Sequence, residues 1–231
     1  MKKTLLALAL AVAAGGAQAI PLSQLLGGQT ITAGDKLFDR WTEVFTGSSD
    51  AAFKVDPAAI DVAALNNGPD YGLQFTMADG TVGVIGDGIF AYTDYSFGFR
   101  VTSTLGKLIK DVSMGEFHGT KNYDVGEDLV ATVLETVKDT NGNELGSITV
   151  EESILGGVES YVGLDSLDFA PQSEIFVVKN IGVWSVAQGE SIYITNFYQR
   201  FSQQEDIPEP ASLALLSLGL FGIGVARRRK S

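Results

Sequence analysis

The chain has 231 residues, 45% of them hydrophobic and 19% charged, with 27 Gly, 6 Pro, no Cys and a formal net charge of −12. The apolar content excludes a disordered chain, and the missing thiols exclude disulfides and any Cys-ligated zinc or iron–sulfur centre. The negative balance argues against nucleic acid as a partner, and a single histidine, His118, leaves room for a Ser-His-Asp triad only at that residue, while a Cys-His one lacks its thiol.

The N-terminus predicts a secretory signal helix. Lys2 and Lys3 precede an apolar run from Leu5 to Ala14, and Ala17 and Ala19 supply the small residues of an A-x-A site for signal peptidase. Cleavage after Ala19 leaves Ile20-Pro21 at the new end. Residues 1–19 are therefore read as a signal peptide, and 20–207 as one mature domain without linker or internal repeat.

That body is all-β by its periodicity, because side chains alternate between the two faces of a strand. Tyr95, Phe97, Phe99 and Val101 alternate with Ser96, Gly98, Arg100 and Thr102. Leu129, Ala131, Val133, Glu135 and Val137 share one face of the next such run, and Val130, Thr132, Leu134, Thr136 and Lys138 the other. Ile192, Ile194, Asn196 and Tyr198 alternate with Tyr193, Thr195, Phe197 and Gln199. Further strands are predicted at 36–45, 59–65, 71–77, 108–117, 146–152, 161–169 and 175–184, with one short helical turn over 23–26. Asn141-Gly142 predicts a type I′ hairpin, since both residues accept positive φ. About ten short strands with turns between them predict a two-sheet antiparallel β-sandwich, preferably a jelly roll. A domain of this size buries enough surface to dispense with disulfides.

The C-terminus reads Pro208-Glu209-Pro210, a 14-residue apolar run from Leu213 to Ala226, and the basic stop Arg227-Arg228-Arg229-Lys230. As a helix the run spans about 21 Å at 1.5 Å per residue. With Ala211 and Ser212 included and the arginines snorkelling, it approaches the thickness of the hydrocarbon core. The positive charges would stay on the cytoplasmic side, which agrees with the signal peptide in placing the body across the membrane. Six of the 16 cations and one of the 28 anions belong to the two ends, so the mature body carries about −17.

This tripartite tail, 208–231, resembles a PEP-CTERM protein-sorting domain. The resemblance implies that the chain is the substrate of an exosortase, a membrane enzyme of Gram-negative bacteria. It implies transient inner-membrane anchoring through a transmembrane helix, cleavage near the motif, and delivery of the body to the cell surface or the extracellular polymer matrix. The body, through Ile31–Phe38 and Phe201–Glu205, more loosely resembles uncharacterised secreted proteins of the same class, which implies no activity.

Within the body several residues invite chemistry. Asp139-Thr140-Asn141-Gly142-Asn143-Glu144 begins like a calcium loop, but Glu144 stands where the EF-hand pattern needs glycine and Val150 where it needs the final Glu. A hairpin turn is the better reading. Asp87 with Asp94, and Asp124 with Glu127 and Asp128, read as solvated acidic loops. No cofactor is expected beyond weak, millimolar stabilisation by calcium.

Glu116, His118, Glu151, Glu152, Asp165 and Asp168 are the groups from which a glycosidase pair would be drawn, and His118 reads as a surface residue. Gly83, Gly86 and Gly88 lack the spacing of a dinucleotide fingerprint and read as a flexible crossing loop. Trp41 and Trp184 read as core. The expectation is an exported, non-enzymatic structural or adhesive sandwich. The alternative is a carbohydrate-binding module meeting extracellular polysaccharide, and a glycan hydrolase comes third. A row of exposed aromatics would favour the module, and a cleft with facing carboxylates the hydrolase.

Overall fold

Period-two alternation makes each strand two-faced, so two sheets must close over each other to bury the apolar faces. A computed structural model of the chain describes residues 18–67, 70–78, 80–104, 106–122, 128–186 and 188–204. In chain order it contains β1 (Ile20–Pro21), α1 (Leu22–Leu26), β2 (Ile31–Ala33), β3 (Lys36–Ser48), β4 (Ile60–Leu65), β5 (Tyr71–Met77), β6 (Val82–Ile85) and β7 (Ala91–Ser103). It continues with β8 (Ile109–Asn122), β9 (Leu129–Lys138), β10 (Glu144–Leu155), β11 (Val158–Val162), β12 (Leu164–Gln172), β13 (Glu174–Ser185) and β14 (Ser191–Gln203). The signal helix and the whole C-terminal tail lie outside the described residues.

The strands form two antiparallel sheets, in the orders β1-β4-β5-β14-β8-β12, with β6 also on β14, and β11-β10-β9-β13-β7-β3-β2. Eight of them, β5, β7, β8, β9, β10, β12, β13 and β14, carry the jelly-roll pattern. Counted along the chain, one sheet runs first-eighth-third-sixth and the other second-seventh-fourth-fifth. The remaining strands extend the edges: β3 and β2 continue beyond β7, β4 and β1 beyond β5, and β11 beyond β10. β5 and β6 lie end to end along β14, β6 against Ser191–Ile194 and β5 against Asn196–Phe201.

The core lies between the sheets. Ile175, Val177, Ile181 and Val183 of β13, and Tyr95, Phe97, Phe99 and Val101 of β7, meet Phe75 and Met77 of β5 and Phe197 and Phe201 of β14. Trp41 stacks on Phe99 with ring centroids 4.5 Å apart, and Phe75 on Phe197 at 4.7 Å. Each such pair adds about 0.5–1.5 kcal/mol beyond area burial. α1 inserts Leu22 and Leu25 into the same core.

Several expectations are corrected. The 161–169 strand is two strands, broken at Gly163, so that β11 ends one sheet and β12 the other. The supposed flexible loop at Gly83 is strand β6, and Gly83 is needed there because a Cβ would lie 1.9 Å from the Tyr193 ring. Alternation along β14 is interrupted by register shifts on either side of Asn196. Ile192 and Ile194 therefore share the core face with Phe197, Gln199 and Phe201, rather than the opposite one.

The hairpin after β9 has a five-residue loop, and of its residues only Gly142 takes positive φ, at 84°. The Gly142 amide donates to the Asp139 carbonyl at 3.0 Å, an ordinary turn followed by a left-handed glycine in place of type I′.

Candidate functional site

The even-numbered residues of β13 and β7 face outward, and at one end of the sheet this outer face is aromatic. Trp184 pairs with Tyr92 across the two strands. Phe90, just before β7, packs on both, with ring centroids 5.9 Å from each. On the far side of Tyr92, Phe45 of β3 lies over Gly47, where an added Cβ would meet the Phe45 ring at 2.8 Å and Tyr92 Cε2 at 3.6 Å. Phe45 and Phe90 are about half exposed. Trp184 is thus not core, a correction with a simple cause: it is adjacent to Val183 in sequence, and adjacency on a strand means the opposite face.

Polar groups lie beside this row. Asn180 donates to Asp94 Oδ1 at 2.6 Å and to the Ser96 hydroxyl at 2.8 Å. Gly182, flanked in register by Asp94 and Thr132, leaves the floor open, since a Cβ there would meet nothing closer than 3.7 Å. The result is a shallow apolar-walled depression of about 310 Å³ lined by Phe90, Tyr92, Asp94, Thr132, Asn180, Gly182 and Trp184. A second, of about 350 Å³, continues past Tyr92 to Thr46, Ser48 and Lys54. Flat rings beside a hydrogen-bonded amide and carboxylate suit a ligand with apolar faces and hydroxyl edges. Phe45, Phe90, Tyr92 and Asn180 were not singled out in the sequence. The signal for them was strand parity, because Asn180, Gly182 and Trp184 fall between the core residues Lys179, Ile181 and Val183.

A larger depression, about 550 Å³, lies where β14 ends. Its polar groups are engaged with one another: Asp35 accepts from Lys36 and from Gln203, each at 2.7 Å, and Asp111 from Ser202. Burial pushes the Lys36 ammonium down against the pull of Asp35.

The other sequence candidates are dispersed. Asp139 takes three bonds within its own loop, from the Asn141 and Asn143 amides at 2.8 Å and from the Asn143 side chain at 2.9 Å, and the Asn143 bonds hold its carboxyl below the usual range. Asp87 caps Ile89, and Asp128 caps Gly156. Asp124 and Glu127 lie outside the described residues. Glu152 is paired with Lys121 at 2.9 Å, and Asp165 accepts the Thr149 and Ser166 amides. Glu116, His118 and Asp168 are exposed, Glu151 half-buried, and none of these lines the depressions described above. Among the described residues no group of three or more His, Asp or Glu is placed to hold a metal ion, and no helix is long and apolar enough to cross a membrane. Ala19 is exposed immediately before β1. Ala17, Pro208, Glu209, Pro210, Arg227, Arg228, Arg229 and Lys230 lie outside the described residues.

Residues 206–230 match the family model of the PEP-CTERM protein-sorting motif. No curated protein matches the chain. Solved structures resembling it are remote. The enzymatically active domain of tailspike protein 4 of bacteriophage CBA120 is 15% identical over 70% of this chain and 19% of its own, with a TM-score of 0.28. A carbohydrate-binding module solved for specific mannan recognition is 12% identical over 81% of this chain and 96% of its own, at 0.30. Endoglucanase 3 of Trichoderma harzianum is 7% identical over 71% and 97%, at 0.21. The chain spans about a fifth to a quarter of the length of the first structures it matches.

Proposed function

We propose that the protein is exported, sorted by an exosortase through its tail, and presented at the cell surface or in the polymer matrix as a non-catalytic binder of polysaccharide. The sorting motif at 206–230 supports export and sorting. Signal cleavage after Ala19 fits a fold whose first paired residue is Ile20, opposite Val62. The observation that carries the binding function is the row Phe45, Tyr92, Phe90 and Trp184 beside Asp94 and Asn180.

Position supports the same reading. β14 starts beside the end of β13 that carries Trp184, and runs 13 residues to the point where the tail begins. At about 3.3 Å per residue that strand spans roughly 40 Å, so the groove lies towards the end of the sandwich opposite the last residue of β14. The body charge of about −17 disfavours anionic chains, so the ligand is a neutral polysaccharide.

The test is affinity electrophoresis of the secreted protein against neutral polysaccharides, including those of the producing cell. Trp184→Ala and Tyr92→Ala are expected to weaken binding about 10- to 100-fold, as for a central aromatic anchor worth about 2 kcal/mol. Both rings are outside the core, so the variants should stay folded. Retardation that is absent for every polymer, or unchanged in both variants, overturns the proposal.

A further inference from the structure

Three of the polar side chains buried in the core, Lys179, Glu135 and Gln199, line none of the depressions described above. Lys179 of β13 and Glu135 of β9 are register partners, both fully buried, with Nζ 2.6 Å from Oε2. Met114 Sδ lies 3.6 Å from the same nitrogen, and the rings of Phe197 and Phe75 stand 5.2 and 5.6 Å from it. Gln199 of β14 is also fully buried. Neither atom of its carboxamide has a hydrogen-bond partner among the described residues, and neither does Glu135 Oε1. Gln199 pairs directly with Met114 and follows Phe197 by two on the same face. Its carboxamide therefore enters the core from one sheet close to where Lys179 enters from the other. Leaving a buried amide unpartnered is costly, and such a group calls for an explanation.

We propose that Lys179, Glu135 and Gln199 form a self-processing centre that joins Lys179 Nζ to Gln199 Cδ by an amide bond. The uncharged amine attacks the carboxamide carbon, which reaches it by a rotamer change of Gln199. Glu135, held as the carboxylic acid, gives its proton to Nε2 and recovers one from the attacking nitrogen. The bond from Cδ to Nε2 then breaks, and ammonia leaves. One primary amide and one amine become one secondary amide and one ammonia, with no change of oxidation state. Burial favours the reactive protonation states, pushing the lysine down towards the free amine and the carboxyl up. The bond would tie the central strand of one sheet to the central strand of the other. β14 is also the strand through which a pull on the tail enters the body, and the chain has no cysteine to do this work.

The test is the mass of the full-length chain purified as it is produced, followed by tryptic mapping. The expected protein is lighter by one ammonia than the sequence between its measured ends. Trypsin cannot cut after an acylated lysine, so 139–200 should appear as a single looped peptide lacking one ammonia. Full mass with cleavage after Lys179 overturns the proposal. Loss of one water with a link to the peptide containing Glu135 also overturns it, since Glu135 would then be the acyl donor. Gln199→Leu and Glu135→Gln are each expected to restore cleavage at Lys179, and Glu135→Asp to retain part of the link. A link surviving in Glu135→Gln refutes the relay. The wild-type masses decide the matter even if a variant fails to fold.

Discussion

Replacing Gly72 with alanine tests the pairing on which the core rests. Gly72 lies in β5 between Leu65 of β4 and Arg200 of β14. A Cβ there would fall 1.8 Å from the Gln199 carbonyl oxygen, 2.8 Å from its carbon and 2.9 Å from Arg200 Cα. All three are backbone atoms and cannot swing aside. Ordinary contact begins near 3.4 Å, so β5 and β14 must part by about 1.6 Å. That separation carries an N···O distance of about 2.9 Å well past hydrogen-bonding range.

Losing two ladder bonds at about 1 kcal/mol each, with about 1–3 kcal/mol of overpacking strain, gives a destabilisation of about 3–5 kcal/mol. A domain of this size should then melt about 6–20 °C lower. The assay is urea and thermal unfolding of the secreted protein, with Gly142→Ala as control. At Gly142 nothing lies within 4 Å and φ is 84°, so only the left-handed backbone penalty of about 1–2 kcal/mol applies. If Gly72→Ala is no worse than Gly142→Ala, the strands do not meet in this register.

Arg100 grips Asp39 through Nε and Nη2 at 2.7 and 2.6 Å, and Glu174 through Nη1 at 3.0 Å, stapling three neighbouring strands. Its hydrogen bonds hold the Asp39 carboxyl below the usual 3.8, so their stabilisation is present above that value and disappears as pH falls through the folded one. Arg100→Met should therefore cost about 1–2 kcal/mol at pH 7 after allowance for screening. The deficit should shrink in urea titrations below pH 4, and an equal deficit at both pH values contradicts the linkage. Gly182→Ala should leave the unfolding midpoint nearly unchanged, because the Cβ has room, while reducing polysaccharide retardation by filling the groove floor. Normal binding by that variant would place the ligand elsewhere. Exchange of Pro208-Glu209-Pro210 for three alanines should leave an uncleaved precursor in the membrane fraction of an exosortase-bearing host. Unchanged processing on an immunoblot would mean that the motif is not read.

Signals written in a few consecutive residues were legible directly. The tail is one, because a tripeptide, an apolar run and a basic stop are recognised as a linear segment whatever the body does. Strand parity is another. The pleat alone puts Tyr95, Phe97, Phe99 and Val101 on one face, and it places Glu135 among Leu129, Ala131, Val133 and Val137, so its burial could be read before its partner was known. Parity fails only where the ladder slips, as around Asn196, since a register shift is set by the neighbouring strand and leaves no mark in β14 itself.

What tertiary structure decided is which strands became neighbours. Glu135 meets a lysine 44 positions later, and Gln199 enters the same core only because β14 and β13 occupy the centres of opposing sheets. Phe45, Phe90, Tyr92 and Trp184 make one row only because β7 inserts between β3 and β13. Alternation is a local consequence of the pleat, whereas adjacency depends on how distant segments close into one sandwich, and no window of a single sequence contains both partners of such a contact.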